Sequence, residues 1–125
     1  MAVIEYDEYK QKLQALEPTL RELEKALGIP KDRQELKDLQ AETEQDGFWN
    51  NLERSQKVQT RLKQLQNKLH RFKKLMSTWE DLTTLCEMGQ EAEDEEILEE
   101  LKTEFPALET EIEEIRMTTL LSGEY

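Results

Sequence analysis

Residues 51–89, NLERSQKVQTRLKQLQNKLHRFKKLMSTWEDLTTLCEMG, decide the fold. Leu52, Val58, Leu62, Leu65, Leu69, Phe72, Met76, Trp79, Leu82 and Cys86 recur at mostly helical spacing, and neither Pro nor Gly intervenes before Gly89. Such periodicity over so many turns is the signature of one long amphipathic helix. About 40 residues rising 1.5 Å each make a rod of roughly 60 Å. An isolated helix is marginal in water, so this rod requires partner helices along most of its length.

The flanks supply them. Tyr6, Tyr9, Leu13, Leu16, Leu20, Leu23 and Leu27 alternate steps of three and four, which keeps one narrow stripe on one side of a helix, as in a coiled-coil seam. Pro18 lies off that stripe. It removes a hydrogen bond and crowds the carbonyl of Gln14, so a kink or break is expected near Glu17. Gly28 and Pro30 stop this helix, and a short second one is expected over 30–43 with Leu36 and Leu39 inward. The clearest loop is Asp46-Gly47-Phe48-Trp49-Asn50-Asn51, where Asp-Gly turns the chain and Asn50 or Asn51 caps the long helix. Gly89 is the expected stop of that helix. Asp94 then offers an N-cap, with Glu95 and Glu96 suiting the dipole of the first turn. Ile97, Leu101, Phe105, Leu108, Ile112 and Ile115 mark a fourth helix, interrupted by Pro106. From Leu120 the helical period is lost and an exit segment is expected. The fold class is all-α, an elongated antiparallel helical bundle with one long central helix. Residues 1–117 read as one helical domain and 118–125 as the start of a linker or strand.

Composition excludes much else. Of 125 residues, 37% are charged and 36% apolar, and four Gly and three Pro are too few for a turn-rich β-sandwich. No stretch approaches the ~20 apolar residues of a membrane span. The first residues lack the basic and apolar regions of a secretory signal. One cysteine excludes an internal disulfide framework. The expected setting is cytoplasmic.

The net charge of −12 is unevenly spread. Residues 54–74 hold eight Lys and Arg and no acid, whereas residues 87–114 hold thirteen acids and one base, Lys102. The long helix is therefore basic and the fourth acidic, and their flanking positions are expected to pair across the seam, as e and g charges do. Each exposed pair contributes only ~0.2–1 kcal/mol, so pairing sets register while the apolar seam supplies stability. A second reading of Arg54, Lys57, Arg61, Lys68 and Arg71 is contact with RNA phosphates; a third is simple solvation.

Chemistry is sparse. His70 lacks converging ligands and reads as a surface or flanking residue. Cys86 follows Leu82 by helical spacing and reads as core. The carboxylates between Glu91 and Glu100 lack a calcium-loop pattern. No metal site, cofactor site or catalytic constellation is expected. Phe48 and Trp49 have two readings, a lid on the end of the bundle or an exposed anchor for a partner.

The Asp46–Asn51 turn followed by Glu53, Gln56 and Lys57 resembles the Pro-Asp-Phe-Trp-Asn signature of the N-terminal domain of bacterial peptide chain release factors, with Asp46-Gly47 standing where the family has Pro-Asp. Asp94-Glu95-Glu96 opening a helix is similar to the family's acidic segment. Arg116 and the ending Leu120-Leu121-Ser122-Gly123-Glu124-Tyr125 resemble the entry into the central domains of the family's type 2 branch. The resemblance implies a full-length protein that recognises stop codons with a Ser-Pro-Phe tripeptide and triggers peptidyl-tRNA hydrolysis with a Gly-Gly-Gln loop. Neither triplet occurs in these 125 residues, so the chain is expected not to be an enzyme by itself. It also implies partners: the GTPase-associated region of the large ribosomal subunit, with its RNA and protein, the class II release-factor GTPase, and the factor's own remaining domains. The alternative to this reading is a free-standing coiled-coil adaptor or chaperone-like subunit working by helix-in-groove contacts.

Overall fold

The computed structural model describes residues 2–122, with side chains as far as Thr119. Four α-helices follow in order: α1 (Ala2–Leu27), α2 (Ile29–Thr43), α3 (Leu52–Ala92) and α4 (Glu95–Ser122), with a 3-10 turn, Phe48–Asn50, leading into α3. Among the described residues no helix is long and apolar enough to cross a membrane.

The 41-residue α3 is the spine, about 60 Å long. α1 runs antiparallel beside its C-terminal half. Trp79 Nε1 donates to the Leu13 carbonyl at 2.8 Å, and Lys68 Nζ donates to the Leu27 carbonyl at 2.7 Å. The chain turns at Gly28, whose left-handed φ of 69° suits glycine, and α2 continues antiparallel along the N-terminal half of α3. α4 folds back along the C-terminal half, antiparallel to α3 and parallel to α1, with Tyr9 edge-on to Phe105 at 5.7 Å. Three helices thus form a body and two form an arm, and α3 belongs to both.

The body's core is apolar and continuous. Tyr6, Leu13 and Leu20 of α1 meet Phe72, Leu82 and Cys86 of α3 and Leu101, Phe105 and Ile112 of α4. Tyr6, Leu20 and Leu101 are wholly buried. Pro18 does not break α1, nor does Pro106 break α4. Both prolines are exposed, and buried leucines on either side hold the backbone to the core. Burial at ~1.5–3 kcal/mol per side chain outweighs the ~3 kcal/mol cost of an internal proline.

Gly89 does not stop α3. The helix runs on to Ala92, and Glu93 takes the left-handed capping conformation instead, with φ 52°. Gly89 is buried because the Tyr6 ring and Ile97 close over it. A Cβ there would lie 2.7 Å from Tyr6 Cε1 and 2.6 Å from Ile97 Cγ2. The Tyr6 hydroxyl donates to the Asp94 carbonyl, and Asp94 Oδ1 caps α4 by accepting from Glu96 N at 2.8 Å and Ile97 N at 3.2 Å. One contact set therefore ties α1 to the α3–α4 turn. At the other end, α4 remains helical through Ser122, where an exit segment was expected from Leu120; Gly123–Tyr125 lie outside the described residues.

Candidate functional site

The residues that sequence reading singled out lie on the arm, at its tip, or where α3 passes into the body. At the tip, Gly47 adopts φ 79°, and the 3-10 turn is closed by Asn50 N donating to the Gly47 carbonyl at 3.1 Å. Asn51 caps α3, its side-chain oxygen accepting from Arg54 N at 3.1 Å. The turn separates the two aromatics. Phe48 is buried against α2 and α3, while Trp49 stands edge-on to it at 4.8 Å and is 54% exposed. The lid and anchor readings each describe one of the two residues. Leu52, expected on the inward stripe, is 71% exposed. Six residues before Val58, it falls at ~100° per residue about 120° from the inward stripe, on the outer side of α3, and Phe48 is the buried apolar residue at this end.

Below the tip, the basic residues of α3 are engaged within the chain. Arg54 grips Glu42 with two bonds of 2.7 Å. Arg61 grips Glu35 with bonds of 2.7 and 2.8 Å. Lys68 Nζ lies 2.7 Å from Asp32 Oδ2 and also holds the last carbonyl of α1. Two-pronged arginine–carboxylate contacts fix geometry as well as charge. Arg61 lowers the pKa of the Glu35 carboxyl, chiefly by its hydrogen bond, against the opposing effect of partial burial. Arg54 acts likewise on Glu42, and its own pKa is raised in return. Lys68 closes the α1–α2 junction, since its ammonium serves a helix C-terminus and the buried Asp32 of the next helix together.

The charge seam expected between α3 and α4 therefore forms mainly between α3 and α2. Arg71 turns to α4, 2.7 Å from Glu111 and 3.7 Å from Glu114, and its pKa is raised, chiefly by the Glu111 hydrogen bond. The preceding heptads point Arg54, Arg61 and Lys68 one way, toward α2. The signal that would have found their partners is Glu35 and Glu42, also seven apart, in reverse order on a helix short enough to lie alongside. Lys57 pairs only with Glu53, one turn away and exposed, at 3.3 Å.

Nucleophilic chemistry is absent from this arrangement. The Cys86 thiol, buried in the body, donates to the Tyr6 carbonyl at 3.6 Å, and burial pushes its pKa up. A thiolate is the reactive form, so this thiol is inert. Among the described residues no three His, Cys, Asp or Glu side chains converge to hold a metal ion. What remains open to a partner is a surface: an exposed Trp-Leu tip on a clamped arm.

Comparison with known proteins identifies the chain's family. The family model described as the PCRF domain matches residues 32–125, three-quarters of the chain. The chain belongs to the PCRF domain family. The match takes in the ion-paired arm, the aromatic turn, α3 and α4. Relatives align over nearly the whole chain. A peptide chain release factor 2 of Clostridium perfringens (strain SM101) is 30% identical over 98% of this chain and 34% of its own length. Those of Acidothermus cellulolyticus and Streptomyces avermitilis are 34% and 30% identical, over 90% and 100% of this chain. The chain spans about a third of the length of these relatives. No solved structure matches it.

Proposed function

We propose that this PCRF chain is the helical module of a type 2 peptide chain release factor, acting in the cytoplasm in stop-codon-dependent translation termination. The observation that carries the proposal is the alignment of nearly the whole chain with proteins named peptide chain release factor 2, each about three times as long. Residues 1–117 serve as the helical domain, and 118–125 lead toward the central domains. The module's contribution is positional. A spine of about 60 Å clamped on both halves of its length transmits orientation, because neither half can swing without breaking α3 or its partner contacts. It docks at the GTPase-associated region of the large subunit, on ribosomal RNA and protein, and works with the class II release-factor GTPase. Trp49, held by Phe48, is a partner contact at the tip, since exposed aromatics on rigid supports make binding hot spots. Lys57 flanks it.

Deleting residues 1–115 from the full-length factor tests this reading in a reconstituted termination assay. Ribosome affinity and GTPase-dependent recycling are expected to fall, while peptide release persists at saturating factor. Unchanged release and unchanged recycling would refute the docking role.

A further inference from the structure

All 29 acidic residues of the chain lie outside Arg54–Trp79, a stretch of 26 residues that carries eight Lys and Arg. Ion pairing divides these eight. Arg54, Arg61 and Lys68 are held by α2, Arg71 by α4, and Lys57 by the adjacent Glu53. Lys63, Lys73 and Lys74 are exposed and form no ion pair among the described residues. At ~100° per residue, Lys63, His70 and Lys74 fall within about 40° of one another, on the side of α3 opposite Val58, Leu65 and Phe72. Lys73 flanks them, and the exposed amides Gln66 and Asn67 lie between. The buried side of α3 faces α1, α2 and α4, so this outer side is left exposed by the described residues.

We propose that this outer face of α3 docks on the phosphate backbone of RNA. The proposal deepens the ribosome reading and rests on it for the identity of that RNA. Lysine ammoniums spread over about 16 Å of helix match successive phosphates of a strand, and interspersed amides can bond ribose and base edges. The net charge of −12 does not forbid this. The nearest acids of α4, Glu104 and Glu111, share a groove with Lys74 at one edge of the face, so Lys63, His70 and Lys73 form its most positive part, and screening at physiological salt over ~8 Å confines the influence of the remaining acids. An acid-free stripe in so acidic a protein is thus a local attractor. It orients the module with the outer side of α3 toward the RNA.

The test titrates the 125-residue chain against purified bacterial 70S ribosomes and against deproteinised 23S ribosomal RNA, between 50 and 200 mM KCl, roughly the range over which phosphate contacts dominate salt dependence. The variant K63E/K73E/K74E is compared with K10E/K31E/K37E, which changes net charge equally elsewhere, and circular dichroism checks that both fold. The α3 variant is expected to weaken binding to both targets at least about tenfold and to lower the log–log salt slope by about 2, the control less than about threefold. Equal weakening by both variants, or none by either, overturns the assigned face while ribosome binding by the unsubstituted chain upholds the broader reading. A difference seen on ribosomes but not on bare 23S RNA makes the partner a protein and overturns the proposal. So does an unsubstituted chain that binds neither target. A difference on bare RNA, together with a residue 1–115 deletion that leaves termination untouched, upholds the face and removes the release-factor reading.

Discussion

The body and the arm share one helix and are held by opposite means. Beside the C-terminal half of α3, α1 and α4 bury a continuous core of leucines, isoleucines and aromatics. Beside the N-terminal half, α2 sends its first residue, Ile29, into the body's core and beyond it offers two half-buried leucines, Leu36 and Leu39, with Phe48, Val58 and Leu65 buried at the same end of the molecule. Three carboxylates of α2 do the rest, gripped by Arg54, Arg61 and Lys68. Two helices cannot enclose a core as three can, so the arm substitutes directional charge contacts for burial. The lesson concerns register: α2 has too little apolar surface to choose its own alignment, and heptad-spaced opposite charges choose it.

The largest expected effect lies in the body. Leu101→Ala empties a wholly buried site on α4 and should cost about 3 kcal/mol, read as a fall in Tm on thermal unfolding. An equal loss from Leu36→Ala in the arm would erase the contrast between the regions. Gly89→Ala comes next. It gains up to ~1 kcal/mol of helix propensity, yet its methyl would strike Tyr6 and Ile97, so a net destabilisation of about 1–2 kcal/mol is expected. A neutral or stabilising result would mean that the Tyr6 closure over the α3–α4 turn is loose.

Lys68→Met sharpens the comparison at the boundary. It leaves the Leu27 carbonyl without its ammonium and buried Asp32 with only the more distant Arg61, 3.9 Å away, at a cost of about 1–2 kcal/mol, less than for a fully buried pair because Lys68 is partly exposed. Hydrogen exchange should quicken in α2 and hardly at all in α4.

Much of this was legible in the sequence. The all-α class, the long central helix, the α1 stripe and the caps at Asn51 and Asp94 follow from period and cap chemistry, which are local. The misreadings involve tertiary contacts that a period does not encode. Gly89 looks like a stop because glycine commonly ends helices, but a tyrosine 83 residues earlier needs its missing side chain. Leu52 lies six residues before Val58, a step that puts it about 120° off the stripe and out toward solvent. For the basic residues of α3 the sequence leaves pairing, RNA contact and solvation open; Arg54, Arg61 and Lys68 pair, but with α2 rather than with the most acidic helix, which composition favours and geometry does not. Of the candidate site, Trp49 is open, whereas Arg54, Arg61 and Lys68 are already engaged within the chain.

Acid should loosen the arm slightly. Glu35 and Glu42 have pKa values held below the ordinary carboxylate value of 4.5 by Arg61 and Arg54. A carboxyl depressed in the folded state stabilises above its unfolded pKa and loses that contribution as pH falls through the folded one. Protection of α2 amides should therefore drop below about pH 4.5, and Glu35→Gln with Glu42→Gln should remove that step. A step that persists in the double variant would place its origin elsewhere.

Salt separates the two regions most directly. Residue-resolved hydrogen exchange at 0.05 and 1 M NaCl compares amides of α2 with those of α4 around Leu101–Ile112. Screening shortens from more than about 10 Å to ~3 Å over this range, so exchange in α2 should speed up several-fold while α4 keeps its protection. Protection that falls equally in both helices, or that α2 retains in full, would contradict an arm clamped by charge on a body held by its core.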